Sequence, residues 1–207
     1  GTTGAVLDPS GGLRERIRLA PGARVRLAFA TGVAVDRNAA LRKGGLRPGD
    51  ALILTKPIGT GSLLAAHMRG KAKARWVMHA LAHKTQPNRA GAGILRAHGA
   101  HAATDVTGFG LLGHLLEICR GSKLGARIDW ARIPLHPGVE RFAREGIFTG
   151  ASGRNWAGYG SDVSLDEALG DAERALLTDP QTSGGLLAAC APEAVDDVLT
   201  IFRNEGF

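Results

Sequence analysis

Three short apolar runs constrain this chain most: 51–55 (Ala-Leu-Ile-Leu-Thr), 102–104 (Ala-Ala-Thr) and 186–191 (Leu-Leu-Ala-Ala-Cys-Ala). Each is continuously apolar and shorter than an ordinary helix, so each reads as a buried strand. The turn Arg47-Pro48-Gly49-Asp50 launches the first and Pro57 ends it. Helical spacing is expected over 62–68, 76–83, 88–98, 111–119, 137–145 and 194–202. Ser62 is the expected cap of the first helix, Gly99 and Gly146 act as C-terminal stops, and Pro192 suits a first turn. Further strands are expected at 24–30 and 125–130, a strand end at 176–178, and a long Gly-, Ser- and Asn-rich loop over 146–164. Strands alternating with helices define an α/β or α+β class, a mixed sheet with helices packed on it.

The texture changes near residue 40. Residues 1–40 are rich in Gly, Arg and Pro and only weakly periodic, and read as an N-terminal extension or linker. Residues 41–207 read as one α/β domain. Aromatics make up 5% of the chain and there are 30 glycines, so the core is expected to be aliphatic and alanine-rich. Cys119 and Cys190 lie inside apolar runs and read as small buried hydrophobes. No apolar run is long enough for a transmembrane helix, and the N-terminus lacks the order of a secretory signal. Both point to a cytoplasmic protein without membrane partners. The formal net charge is +7, with clusters at 14–47 and 69–75. Such a balance draws phosphates of any kind. No aromatic interleaving or zinc-finger spacing accompanies it, so nucleic acid is not the expected partner.

Two segments carry chemistry. One is Thr104-Asp105-Val106-Thr107-Gly108-Phe109-Gly110-Leu111-Leu112-Gly113-His114. The other is Thr178-Asp179-Pro180-Gln181-Thr182-Ser183-Gly184-Gly185-Leu186-Leu187. Asp105 falls where a strand gives way to a glycine turn and a helix. A helix N-terminus there favours an anion, and a magnesium ion between carboxylate and phosphate would reconcile two negative groups. The bland alternative is an aspartate that merely caps the turn. Gly184 and Gly185 have the same double reading, backbone donors facing a ligand or close packing of a turn on a strand. Asp179 before Pro180 reads as a turn initiator, and His114 as a satisfied boundary histidine. No histidine pairs with a carboxylate at metal-ligand spacing.

Taken with 46–61 (Leu-Arg-Pro-Gly-Asp-Ala-Leu-Ile-Leu-Thr-Lys-Pro-Ile-Gly-Thr-Gly), these segments resemble the C-terminal half of the selenophosphate synthetases (selenide, water dikinases). The wider superfamily includes aminoimidazole ribonucleotide synthetase, thiamine-monophosphate kinase and a hydrogenase-maturation protein. The resemblance implies a C-terminal α/β domain, partly ferredoxin-like. It implies a reaction of ATP, selenide and water to selenophosphate, AMP and phosphate, in a homodimer. It implies that Asp105 holds Mg2+ against the nucleotide phosphates, with Thr104, Thr107 and Gly108 shaping its turn. Thr182, Ser183, Gly184 and Gly185 would lie near the same cleft. The family's nucleophilic cysteine and paired aspartates have no counterpart before residue 46. Residues 1–40 are then a remnant of, or linker from, an ATP-binding half that this chain lacks, and the chain alone is expected to be inactive.

Overall fold

The computed structural model describes residues 6–7, 13–14 and 44–204. The chain divides into two compact units, residues 1–31 and 32–207. In the first, β1 (Val6–Leu7) pairs antiparallel with β2 (Leu13–Arg14), Leu7 opposite Leu13. The strand expected at 24–30, and nearly all of the extension expected over 1–40, lie outside the described residues.

The second unit is built on β3 (Ala51–Leu54), β4 (Ala102–Asp105) and β5 (Leu186–Cys190). Their order is β3-β5-β4, and β5 runs antiparallel to both neighbours. Among the described residues, parallel pairing is confined to the bridge between Ile58 and Leu135. Ala188 stands opposite Ile53 on one side and Ala103 on the other. Alanines at the sheet centre let helices approach both faces closely, and every residue of β5 is buried.

Helices cover the two faces. Ile53, Ala103, Leu186 and Ala188 pack against α3 (Asn88–Ala97) and α8 (Val195–Asn204) through Leu95, Val198 and Phe202. Ala102, Leu187 and Ala189 pack against α4 (Gly110–Ser122) through Leu111, Leu115 and Ile118. A third cluster joins α1 (Thr60–Met68), α2 (Ala74–Thr85), α5 (Val139–Arg144) and α7 (Asp171–Leu177) through Leu63, Ala66, Ala80, Phe142 and Leu176. The α+β class follows, with the core as aliphatic as the composition implies. Both cysteines are buried.

Four local expectations are corrected. Residues 125–130 form no strand: they run irregularly into a 3-10 turn (Trp130–Arg132), where Asp129 accepts from Ala131 N–H. Ile128 and Trp130, partly buried, still pack on the core. Residues 176–178 end α7 rather than a strand; Glu173 accepts from Gly170 N–H at its start, at 2.9 Å. The loop expected over 146–164 contains α6 (Gly150–Tyr159), whose first turn is capped by Thr149. Its glycines hide a helix that Ser152 and Tyr159 anchor by burial. Finally, Ser62 lies inside α1, and the donors at the start of that helix are satisfied from far along the chain.

Candidate functional site

Strand pairing brings the two chemical segments to one end of the sheet. Asp105 ends β4 opposite Leu186, the first residue of β5. Val106 N–H donates to Gly185 carbonyl oxygen at 2.9 Å, and Thr55 N–H to Leu186 carbonyl oxygen at 3.0 Å. Thr55 Oγ1 accepts from Leu186 N–H at 2.8 Å. The 181–185 turn therefore sits between the exits of β3 and β4.

Asp105 is half-buried, and among the described residues its carboxylate has no hydrogen bond or ion pair. Such a group is available to a cation or to water. No group of three or more His, Cys, Asp or Glu surrounds a point among the described residues, so a cation at Asp105 would take its other oxygens from a ligand and solvent. A cavity of about 910 Å3 opens along the free edge of β3, and Asp105 is not among its walls.

The turn after Asp105 is held rigidly. Thr107 carbonyl oxygen accepts from Gly110 N–H and from Gln181 N–H, at 3.1 and 2.9 Å. Thr107 Oγ1 lies 3.0 Å from His114 Nε2, and His114 Nδ1 lies 3.3 Å from Glu117. The buried His114 is thus occupied by structure. Asn155 Nδ2 donates to the carbonyl oxygens of Gly108 and Thr178, and Tyr159 O–H donates to Phe109. Gly108 is exposed with open space where a Cβ would stand. Thr104 is buried, and its Oγ1 has no hydrogen-bond partner among the described residues.

The second segment divides in two. Thr182 and Ser183 are exposed, and Ser183 adopts φ 52°. Gly184 and Gly185 are buried by close packing: a Cβ on Gly184 would meet Val106 carbonyl oxygen at 2.1 Å, and one on Gly185 would meet Lys56 N at 2.5 Å. Asp179 and Gln181 serve α1. Asp179 Oδ2 accepts from Gly61 N–H and Oδ1 from Ser62 O–H, while Gln181 Oε1 accepts from Gly59 and Thr60 N–H. Burial pushes the Asp179 carboxyl up to about 6 against those donors.

Two residues at this sheet end escaped the sequence reading. The buried Lys56 donates to the carbonyl oxygens of Gln86 and Ser183, at 2.8 and 3.4 Å, and burial lowers its pKa. Asn88 Nδ2 donates to Gly184 carbonyl oxygen at 2.9 Å, while its buried Oδ1 has no partner among the described residues. A lysine between an apolar strand and Pro57 was the available signal for the first. Asn88 looked like an ordinary helix start.

Residues 47–207 match the family model of the AIR synthase related protein, C-terminal domain. Residues 1–43 match a separate model, the glycosyl hydrolase 94 supersandwich domain. The chain is 56% identical over 173 residues to the selenide, water dikinase of Burkholderia orbicola (strain MC0-3), covering 84% of this chain and 48% of that protein. It is 51% identical over 166 residues to the selenide, water dikinase of Pseudomonas straminea, covering 80% and 46%. The chain thus spans about half the length of the curated relatives it matches. Among solved structures, the thiamine-monophosphate kinase of Stenotrophomonas maltophilia K279a aligns with TM-score 0.55 and 23% identity, over 82% of this chain and 48% of that one. A hydrogenase maturation protein HypE aligns with TM-score 0.52 and 20% identity, over 83% and 44%. Both likenesses concern the fold.

Proposed function

The chain belongs to the family of the AIR synthase related protein, C-terminal domain, and on that premise we propose that it is the C-terminal half of an ATP-dependent selenide, water dikinase. The complete enzyme would convert ATP, selenide and water to selenophosphate, AMP and phosphate. The observation that carries the reading is the half-buried carboxylate of Asp105, without a partner among the described residues, beside the 181–185 turn.

Asp105 would hold Mg2+ at the exit of β4. That ion would screen the polyphosphate and orient it for transfer. Thr182 and Ser183, exposed on the adjoining turn, would offer hydroxyls to phosphate oxygens. Thr107 and Gly108 would give the ligand its approach, since nothing crowds Gly108. The packed Gly184 and Gly185 would hold the 181–185 turn close to the exits of β3 and β4. Thr104 would support β4 from within. The buried Asn88 Oδ1, fixed through Gly184, would accept a hydrogen bond from bound water or ligand. Homodimerisation, cytoplasmic location and a part in selenocysteine supply belong to the same proposal.

The test is a pair of measurements on the 207-residue chain. Selenide-dependent AMP release should be absent from the chain alone and should appear when the N-terminal half of a related dikinase is supplied. AMP release from the chain alone would refute the assignment of the catalytic machinery to another half. No release with any complementing half would refute the dikinase reading itself.

A further inference from the structure

Two consecutive carbonyls of the 181–185 turn are gripped by side chains from remote parts of the chain. Lys56 Nζ donates to Ser183 carbonyl oxygen at 3.4 Å, and Asn88 Nδ2 to Gly184 carbonyl oxygen at 2.9 Å. Both grips are anchored in the short connection between α2 and α3. Asn88 is the first residue of α3. Lys56 donates a second, shorter bond of 2.8 Å to the carbonyl oxygen of Gln86, the residue that closes α2. A helix C-terminus favours a cation, so the Gln86 bond fixes the ammonium and the longer contact draws Ser183 towards it. Lys56 also packs against the turn through its backbone: a Cβ on Gly185 would meet Lys56 N at 2.5 Å and Lys56 Cβ at 2.9 Å.

The turn has little else to fix it. Among the described residues, the N–H groups of Thr182, Ser183 and Gly184 have no hydrogen-bond partner. Ser183 is exposed and holds φ 52°, a left-handed backbone that a serine keeps only where its surroundings impose it. Lys56 is 3% exposed. An ammonium that deep costs free energy unless acceptors meet it. Methionine would fill a similar space without that cost, so packing does not account for a lysine at this position.

We propose that Lys56 is a positioning residue: its ammonium ties Ser183 to the end of α2 and so sets the exposed Thr182 and Ser183 hydroxyls for a phosphate-bearing ligand. The inference rests on the reading of this turn as a phosphate contact. Lys56 acts through the turn's backbone, and Asn88 braces the next carbonyl in the same way. A turn ordered before the ligand arrives spares the ligand the cost of ordering it. The side chain that looks like the last residue of an apolar strand is therefore part of the ligand's seating.

The test measures backbone order parameters of the 207-residue chain by nitrogen-15 relaxation. In the native chain, residues 182–184 should be rigid, at about 0.85, and in Lys56→Met and Asn88→Ala they should fall below about 0.6 while β5 keeps its values. Lys71→Met removes the same charge from an exposed position and should leave the turn unchanged. In the complete enzyme, Lys56→Met should raise the KM for ATP by about tenfold or more with a much smaller change in kcat, whereas a folding defect would lower the active fraction and kcat alone. The order parameters need no turnover: if the native complete enzyme does not consume ATP, the dikinase reading falls and the order parameters alone decide the clamp. The proposal is overturned by an unchanged turn in Lys56→Met, by equal loosening in Lys71→Met, or by a loosened turn with a native KM for ATP. A Lys56→Met chain that does not fold also overturns it, because the lysine would then serve the β3 exit and not the turn.

Discussion

The Asp179 carboxylate accepts the Gly61 N–H at 2.8 Å across 118 residues, so the second chemical segment caps α1, the helix that follows β3. The same side chain receives Ser62 O–H at 2.9 Å and Gln181 Nε2 at 3.2 Å, and it is fully buried. Asp179→Ala leaves these donors buried and unpaired. It should destabilise the chain by about 2–4 kcal/mol, more than an ordinary surface cap. Urea unfolding of the variant checks this. A change below about 0.5 kcal/mol would show that α1 finds other acceptors.

Burial raises the Asp179 carboxyl from 3.8 to about 6, and that shift has a sign. The folded chain binds this proton more tightly than the unfolded chain does. The stabilising contribution is therefore complete below about pH 3.8 and is lost as pH rises through about 6. Asp179→Asn cannot titrate there. The stability of the native chain relative to this variant should fall by up to about 3 kcal/mol from about pH 4 to pH 7. Subtracting the two profiles removes every other titrating group, and a flat difference contradicts the burial assignment.

Glycines separate packing from ligand contact. Gly110 adopts φ +71°, and a Cβ there would meet Thr178 at 2.6 Å. Gly184 has Val106 carbonyl oxygen at 2.1 Å from the same virtual atom. Alanine at either position should cost more than about 2 kcal/mol of stability. Gly108→Ala meets nothing within 4 Å and should stay within about 1 kcal/mol of the native chain. Loss of turnover by Gly108→Ala in the complete enzyme would then report a lost ligand approach. Thermal unfolding of all three variants tests the contrast, and a strongly destabilised Gly108→Ala would remove it.

The three-stranded core was legible because its strands are short, fully apolar and bounded by turns: 51–55, 102–104 and 186–191 lie within a residue or so of β3, β4 and β5. α6 was not, because Gly150, Gly153 and Gly158 carry the composition of a loop while Thr149, Ser152 and Tyr159 fix a helix through tertiary contacts. Leu176 and Leu177 misled in the other direction, since two buried leucines fit a strand end or a helix end equally well. Within the site, Asp105 stood out by its place between strand and glycine turn. Asn88 was invisible and Lys56 showed only as a lysine after an apolar strand, because their roles come from carbonyls about 30 to 130 residues away. The bland reading of Asp179 as a local turn former missed a partner equally remote.

Asp105→Asn bears most directly on the proposed chemistry. Its carboxylate has no partner among the described residues, so the amide breaks no bond to any of them. Unfolding of the 207-residue variant should stay within about 0.5–1 kcal/mol of the native chain. In the complete enzyme the same substitution removes an anionic oxygen from a hard cation, which an amide replaces poorly. Turnover should fall by at least about two orders of magnitude, and the Mg2+ concentration for half-activity should rise. These outcomes are linked. A stable variant with lost turnover and weakened Mg2+ dependence supports a ligand role. A destabilised variant would instead mark Asp105 as a structural residue of the β4 exit, and a stable, fully active one would move the metal site elsewhere.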